Sequence, residues 1–225
     1  EEAIKETEKF LKSACEYRMV SDVPVGMFLS GGYDSSAVTA ILQKDRTEKL
    51  KTFSIGFHEE KYNEAHYAKD IAKHLGTEHT EYYCTQKDAQ ELLPLMSEIW
   101  DEPFGDSSNI PTTLVSRLAR KDVTVSLSAD GGDEIFGGYN KYIQALKCQR
   151  ALSKLPFTRT FGFILEAVNP KYLIGLNKTY NFVNRYEKLK TLLKAKDEIE
   201  MMRGVSYYFT PPEVDSLLGK ATIIK

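Results

Sequence analysis

The chain has 225 residues, 42% of them hydrophobic, and a formal net charge of −2. That length supplies about 1.5 domains with ample material for a packed core, and the near-neutral charge excludes a dominant nucleic-acid surface. Three dispersed cysteines (Cys15, Cys84, Cys148) exclude a disulfide framework and a clustered zinc site, and no apolar run is long enough to span a membrane.

In chain order, Ile4, Phe10, Leu11, Ala14, Cys15 and Met19 recur at helical spacing, so residues 2–19 read as an amphipathic helix. A short apolar strand follows at Val23–Leu29, then a helix over 33–45. The β-branched and aromatic run Leu50–Phe57 is a second strand. Residues 63–75 form a helix that Gly76 closes. Glu78–Cys84 is a third strand, residues 87–100 and 109–120 are helical, and Val123–Ser128 is a fourth strand. Strands alternating with helices predict an α/β fold: a parallel sheet with helices on both faces, and ligands at the carboxyl ends of its strands. Residues 1–150 are expected to form the nucleotide-binding domain. Residues 151–225 read as a helical extension of it, with Arg150, Lys154, Lys178, Lys188, Lys190 and Lys194 spread over a solvated surface.

The first strand runs into Ser30-Gly31-Gly32-Tyr33-Asp34-Ser35-Ser36, and a helix leaves it. Such a turn aims unpaired N–H groups at one point, in front of the positive end of a helix dipole, which suits phosphate. Its glycines let the backbone approach a ligand, and its serines add hydroxyls. Asp34 would repel phosphate unless a divalent cation lay between them. No Lys is present, so this is not the GxxxxGK[ST] loop. The plainer alternative is a Ser/Gly helix cap with Asp34 in the first turn for dipole reasons.

The fourth strand runs into a second turn, Ser128-Ala129-Asp130-Gly131-Gly132-Asp133-Glu134-Ile135-Phe136-Gly137-Gly138-Tyr139. Three acids this close repel one another unless a cation or hydrogen bonds compensate. Mg²⁺ bound to substrate phosphates would do so, since it takes only one or two protein carboxylates. An exposed acidic helix cap is the alternative. A third stretch, Trp100–Asn109, is a turn between helices, in which Asp106 or Ser107 can cap the helix that follows.

Together these stretches resemble the synthetase domain of the glutamine-dependent asparagine synthetases. Ser30–Ser36 matches that family's SGGxDSS pyrophosphate loop, Leu127–Tyr139 its LSGxGxDExFGGY segment, and Asp101–Ser108 its DEPxxDSS stretch. The resemblance implies an adenine-nucleotide α-hydrolase-like fold. ATP would adenylate the side-chain carboxylate of aspartate, and ammonia would displace AMP to give asparagine. By position, Leu29, Ile55, Ser128 and Ala129 would contact the nucleotide, and Ser30, Gly31, Gly32, Ser35 and Ser36 would hold the pyrophosphate. Asp34 and Asp133 would bind Mg²⁺, with Asp133 also in the catalytic set. Asp130 would handle the adenylate and the attacking amine.

The resemblance also implies a cytoplasmic enzyme with no nucleic-acid or membrane partner, and it is compatible with a homodimer. Ala129 departs from the family, which usually has Gly there. No nucleophilic Cys opens the chain, and the family's downstream Lys is not found before Lys225. A glutaminase domain is therefore expected elsewhere in a longer protein. Other readings are a related amidotransferase or β-lactam synthetase-like enzyme with another acid substrate, or a nucleotide-binding module without catalysis. A tRNA-thiolating enzyme shares the loop, but the charge disfavours it.

Overall fold

The computed structural model describes residues 1–59, 63–101, 105–168, 182–207, 209 and 211–218. Contacts divide the chain into two compact units, Glu1–Gly132 and Asp133–Lys225. Glu102, Pro103 and Phe104 of the third stretch, and Lys178, lie outside the described residues.

In the first unit, helix α1 (Glu2–Met19) precedes β1 (Val25–Phe28), α2 (Tyr33–Lys44), β2 (Lys51–Phe57), α3 (Ala65–Leu75) and β3 (Glu78–Cys84). Then come α4 (Gln86–Leu92), α5 (Met96–Trp100), α6 (Asn109–Ala119) and β4 (Val125–Leu127). The expected single helix over 87–100 is broken, because Pro94 falls in a 3-10 turn at Leu93–Leu95 that separates α4 from α5. A proline cannot donate to the preceding turn and crowds it. Thr85 and Asp88 form a reciprocal capping box on α4. Gly76 closes α3 with φ 74, as its position suggested.

The four strands are all parallel, in the order β3-β2-β1-β4. Alternation along the strands sends side chains to two faces. Met27 packs with Leu42 of α2 and Cys15 of α1, and Leu29 with Ala68 and Ala72 of α3, all on one face. Phe28 and Phe53, adjacent in register, pack with Leu118 and Ala119 of α6 on the other. Helices therefore cover both faces, as the α/β pattern requires.

The face under α3 is tight and partly polar. Ala65, Ala68 and Ala72 are all buried there, and Thr52 and Ser54 of β2 give the two ring nitrogens of His79 partners at 2.9 Å each. Burial holds the His79 imidazole below its ordinary pKa.

The order of the strands fixes where a ligand would go. The chain steps outward from β1 to β2 to β3, then returns to the opposite side of β1 as β4. The strand order therefore reverses between β1 and β4, and ligands of parallel α/β sheets sit at the carboxyl ends of the strands at such a reversal. The Ser30 turn leaves β1, and the Ser128 turn leaves β4.

The second unit is helical: most of α7 (Gly132–Phe136), then α8 (Asn140–Leu152), α9 (Thr158–Glu166), α10 (Phe182–Lys194), α11 (Glu198–Ser206) and α12 (Pro211–Leu218). At Gly162 of α9, a Cβ would come 3.1 Å from Cβ of Leu193 on α10, so a bare Cα permits that crossing. Tyr186 of α10 donates from its hydroxyl to the Leu165 carbonyl at 3.0 Å. Lys190 is not part of a solvated surface, as the sequence suggested: its side chain is 13% exposed and pairs with Glu187 at 2.8 Å. Lys194 pairs with Glu166. Among the described residues, no helix is long and apolar enough to cross a membrane.

A candidate nucleotide site at the carboxyl edge of the sheet

Leu29, 1% exposed, ends the run out of β1, and its N–H donates to the Phe53 carbonyl at 2.9 Å. Its side chain lies among Ala68 and Ala72, so only its main chain faces the turn. Gly31 then takes φ +87. A Cβ there would stand 2.8 Å from the Ala68 nitrogen and from Cβ of Tyr67. Both the left-handed backbone and the close passage over α3 demand glycine.

Gly32 occupies the N-cap of α2, and no side chain caps it. The first intrahelical bond runs from Ser36 N–H to the Gly32 carbonyl. The N–H groups of Tyr33, Asp34 and Ser35 thus belong to the first turn, where the helix gives them no carbonyl. They point out of the positive end of α2, the arrangement that binds anions.

The serines differ in what they are free to do. Ser35 is buried at 8% exposure, and its hydroxyl bonds to Ser30 and Gly32. Ser30 is exposed, and Ser36 is half-buried with its hydroxyl on the Gly32 carbonyl at 2.6 Å.

Asp34 is exposed, and among the described residues its carboxylate makes no hydrogen bond or ion pair. It lies against Gly132, where a Cβ would fall 2.6 Å from Cγ of Asp34. The first unit therefore brings the two glycine-rich turns together at this pair. Only a residue without a side chain at position 132 leaves the carboxylate room.

Ser128 is exposed, and Ala129 is half-buried. The Ala129 methyl packs against the Met27, Leu42 and Leu50 cluster, so the core absorbs it. Asp130 is exposed and carries a free carboxylate among the described residues. Ile55 is half-buried in β2, opposite Tyr82 in register and on the same face as Phe53. Asp106 accepts the Ser108 N–H at 2.9 Å, but Ser108, not Asp106 or Ser107, is the residue that precedes α6.

Residues 6–215 match the asparagine synthase family. The chain belongs to that family. It is 48% identical over 179 residues to the "Putative asparagine synthetase [glutamine-hydrolyzing] 2" of Methanocaldococcus jannaschii, which covers 79% of this chain and 34% of that protein. It is 39% identical over 156 residues to the "Asparagine synthetase [glutamine-hydrolyzing] 1" of Bacillus subtilis, covering 69% of this chain and 24% of that protein. The chain thus spans about a third or less of the curated relatives it matches.

In the second unit, this asparagine synthase family chain holds a feature that sequence reasoning passed over. Asp133, half-buried, folds its carboxylate onto Gly138, whose N–H donates to the Asp133 carbonyl at 3.0 Å. Glu134 accepts the Tyr139 hydroxyl at 2.7 Å. That bond holds the Glu134 carboxyl below the usual carboxylate range and pushes the Tyr139 phenol up to about 12. Nζ of Lys141 sits 4.5 Å from the centre of the Tyr139 ring. The spacing of Glu134, Tyr139 and Lys141 was visible in the sequence, but no general rule pairs i with i+5 across a glycine turn.

Proposed function

We propose that this chain is the ATP-handling part of an amide-forming synthetase that adenylates aspartate and transfers ammonia to it. One observation carries the reading. A turn lined with first-turn N–H groups leaves β1 beside the strand-order reversal, and the free Asp34 carboxylate sits there against Gly132. Family membership supports the same reaction class.

The β- and γ-phosphates are held by main-chain N–H groups of Gly31, Tyr33, Asp34 and Ser35, at the positive end of α2. These groups keep the pyrophosphate in place while the aspartate side chain attacks the α-phosphorus and the bond to pyrophosphate breaks. The nucleotide lies along the main chain of Leu29 and Ala129, with Ile55 and Ser128 beside it.

The uncompensated Asp34 carboxylate beside the first turn fits a divalent cation, and by the family resemblance Asp34 and Asp133 are the residues that would hold Mg²⁺. When bound, that ion offsets phosphate charge as it develops. Asp130 accepts a proton from the attacking amine. Ammonia forms the C–N bond, the C–O bond to AMP breaks, and the amide leaves uncharged.

The ammonia comes from glutamine hydrolysed in another domain of the full-length protein. The protein works in the cytoplasm, without a nucleic-acid or membrane partner, and its assembly is compatible with a homodimer. The test supplies MgATP, aspartate and excess ammonium to the full-length protein and measures asparagine, AMP and pyrophosphate. Equimolar formation of the three is expected. ADP and phosphate in their place would overturn the adenylation step.

A further inference from the structure

We infer that the Ser35 hydroxyl positions the phosphate turn and is not one of its ligands, the residue offering a phosphate only its main-chain N–H, an inference that rests on the reading just given. A serine hydroxyl offers one donor and two acceptor sites. At Ser35 all three are used inside the turn. Its Oγ accepts the Ser30 N–H at 3.2 Å and donates to the Gly32 carbonyl at 3.3 Å. Either hydroxyl can donate in the 3.0 Å contact between Ser35 Oγ and Ser30 Oγ; with the Ser35 proton on the Gly32 carbonyl, Ser30 is the donor. Ser30 Oγ in turn accepts the Gly32 N–H at 3.3 Å.

These bonds close a small ring around Gly31, the residue with φ +87. Beneath it, within α2 itself, fully buried Thr39 donates to the Ser35 carbonyl one turn back at 2.6 Å. A hydroxyl so engaged, on a residue 8% exposed, has nothing left to give a phosphate oxygen. What it controls is the direction in which the Gly31 and Tyr33 N–H groups point. Ser36 is the contrast: its hydroxyl makes a single bond, to the Gly32 carbonyl, and can turn outward to donate.

The test uses the isotope-labelled full chain, with hydrogen exchange read without ligand and calorimetry read with inorganic pyrophosphate plus Mg²⁺. Ser35→Ala should speed exchange at the Ser30 amide and weaken pyrophosphate binding, each by about tenfold. Ser35→Thr should restore both to within about threefold, since it keeps the hydroxyl. If the threonine variant does not fold, Ser35→Cys must fall between serine and alanine in both readouts. Ser36→Ala should weaken pyrophosphate binding and leave Ser30 exchange unchanged.

Weaker binding in Ser35→Ala with unchanged Ser30 exchange would make the Ser35 hydroxyl a direct ligand and overturn the inference. Unchanged binding in that variant would also overturn it. If the unsubstituted chain binds no pyrophosphate, the nucleotide reading falls and takes this inference with it.

Discussion

The two glycine-rich turns use the same residue types in opposite ways. In the first, the hydroxyls of Ser30, Ser35 and Ser36 all bond back to the turn's own main chain, and Gly31 is wedged over α3. In the second, Gly131 also takes a left-handed φ, +90, but a Cβ there would meet nothing within 4 Å. Its acids, Asp130 and Glu134, stand exposed. The first turn is therefore built as a rigid frame for main-chain donors, and the second presents side chains. Glycine marks both in the sequence, but of the two left-handed glycines, Gly31 and Gly131, only the first is also required by packing.

The largest expected effect separates the two. Gly31→Ala must bear a left-handed backbone and overlap with Tyr67 and Ala68, so it should cost about 3 kcal/mol or more of stability. Gly131→Ala carries only the backbone term, about 1–2 kcal/mol. Urea denaturation of both variants measures the gap. Equal losses would mean that the first turn is no tighter than the second.

Next in size is the effect on affinity at Asp34. Asp34→Asn should leave stability within the dipole contribution of about 0.3–1 kcal/mol. The same change should lower Mg²⁺-dependent ATP affinity by about tenfold or more, and lose little affinity where Mg²⁺ is absent. Gly132→Ala tests the same carboxylate without removing it, because the added methyl would displace Asp34. Calorimetry with and without Mg²⁺ should therefore show a loss of the same kind. A Gly132→Ala variant that binds MgATP normally would show that the place of the carboxylate does not matter.

Much of this arrangement was legible in the sequence, and the reasons are local. Strands β1 and β2 are apolar, aromatic or β-branched runs bounded by turns, and the helices that follow them keep a 3.6-residue period. The first glycine-rich turn is visible because Gly31-Gly32 follows an apolar strand and precedes a helix. The long-range features were not legible. Nothing in the order of residues says that Asp34 will rest on Gly132, ninety-eight positions later, or that Gly31 will pass over Tyr67. Nor does the pattern distinguish Ser35 from Ser36, since burial under the turn decides which hydroxyl is consumed. The break at Pro94 was available locally and was overridden by helical periodicity on either side of it.

The smallest effect concerns the one place where the second turn is braced. The Tyr139–Glu134 bond lowers the glutamate pKa and raises that of the phenol to about 12. A depressed carboxyl contributes stability that is present above its unfolded value and is lost as pH falls through the folded one. A raised phenol contributes stability that is complete below about pH 10 and is lost as pH climbs toward the folded value. Tyr139→Phe should remove both edges at once. Glu134 should then titrate closer to an ordinary glutamate by carboxyl NMR, and the highest tyrosinate step should vanish from the absorbance titration. Both groups are exposed enough for solvent to screen them, so the melting temperature should barely move near neutral pH. If Glu134 titrates identically in the variant, the phenol is not its partner, and the second turn is as open at position 134 as it is at Asp130.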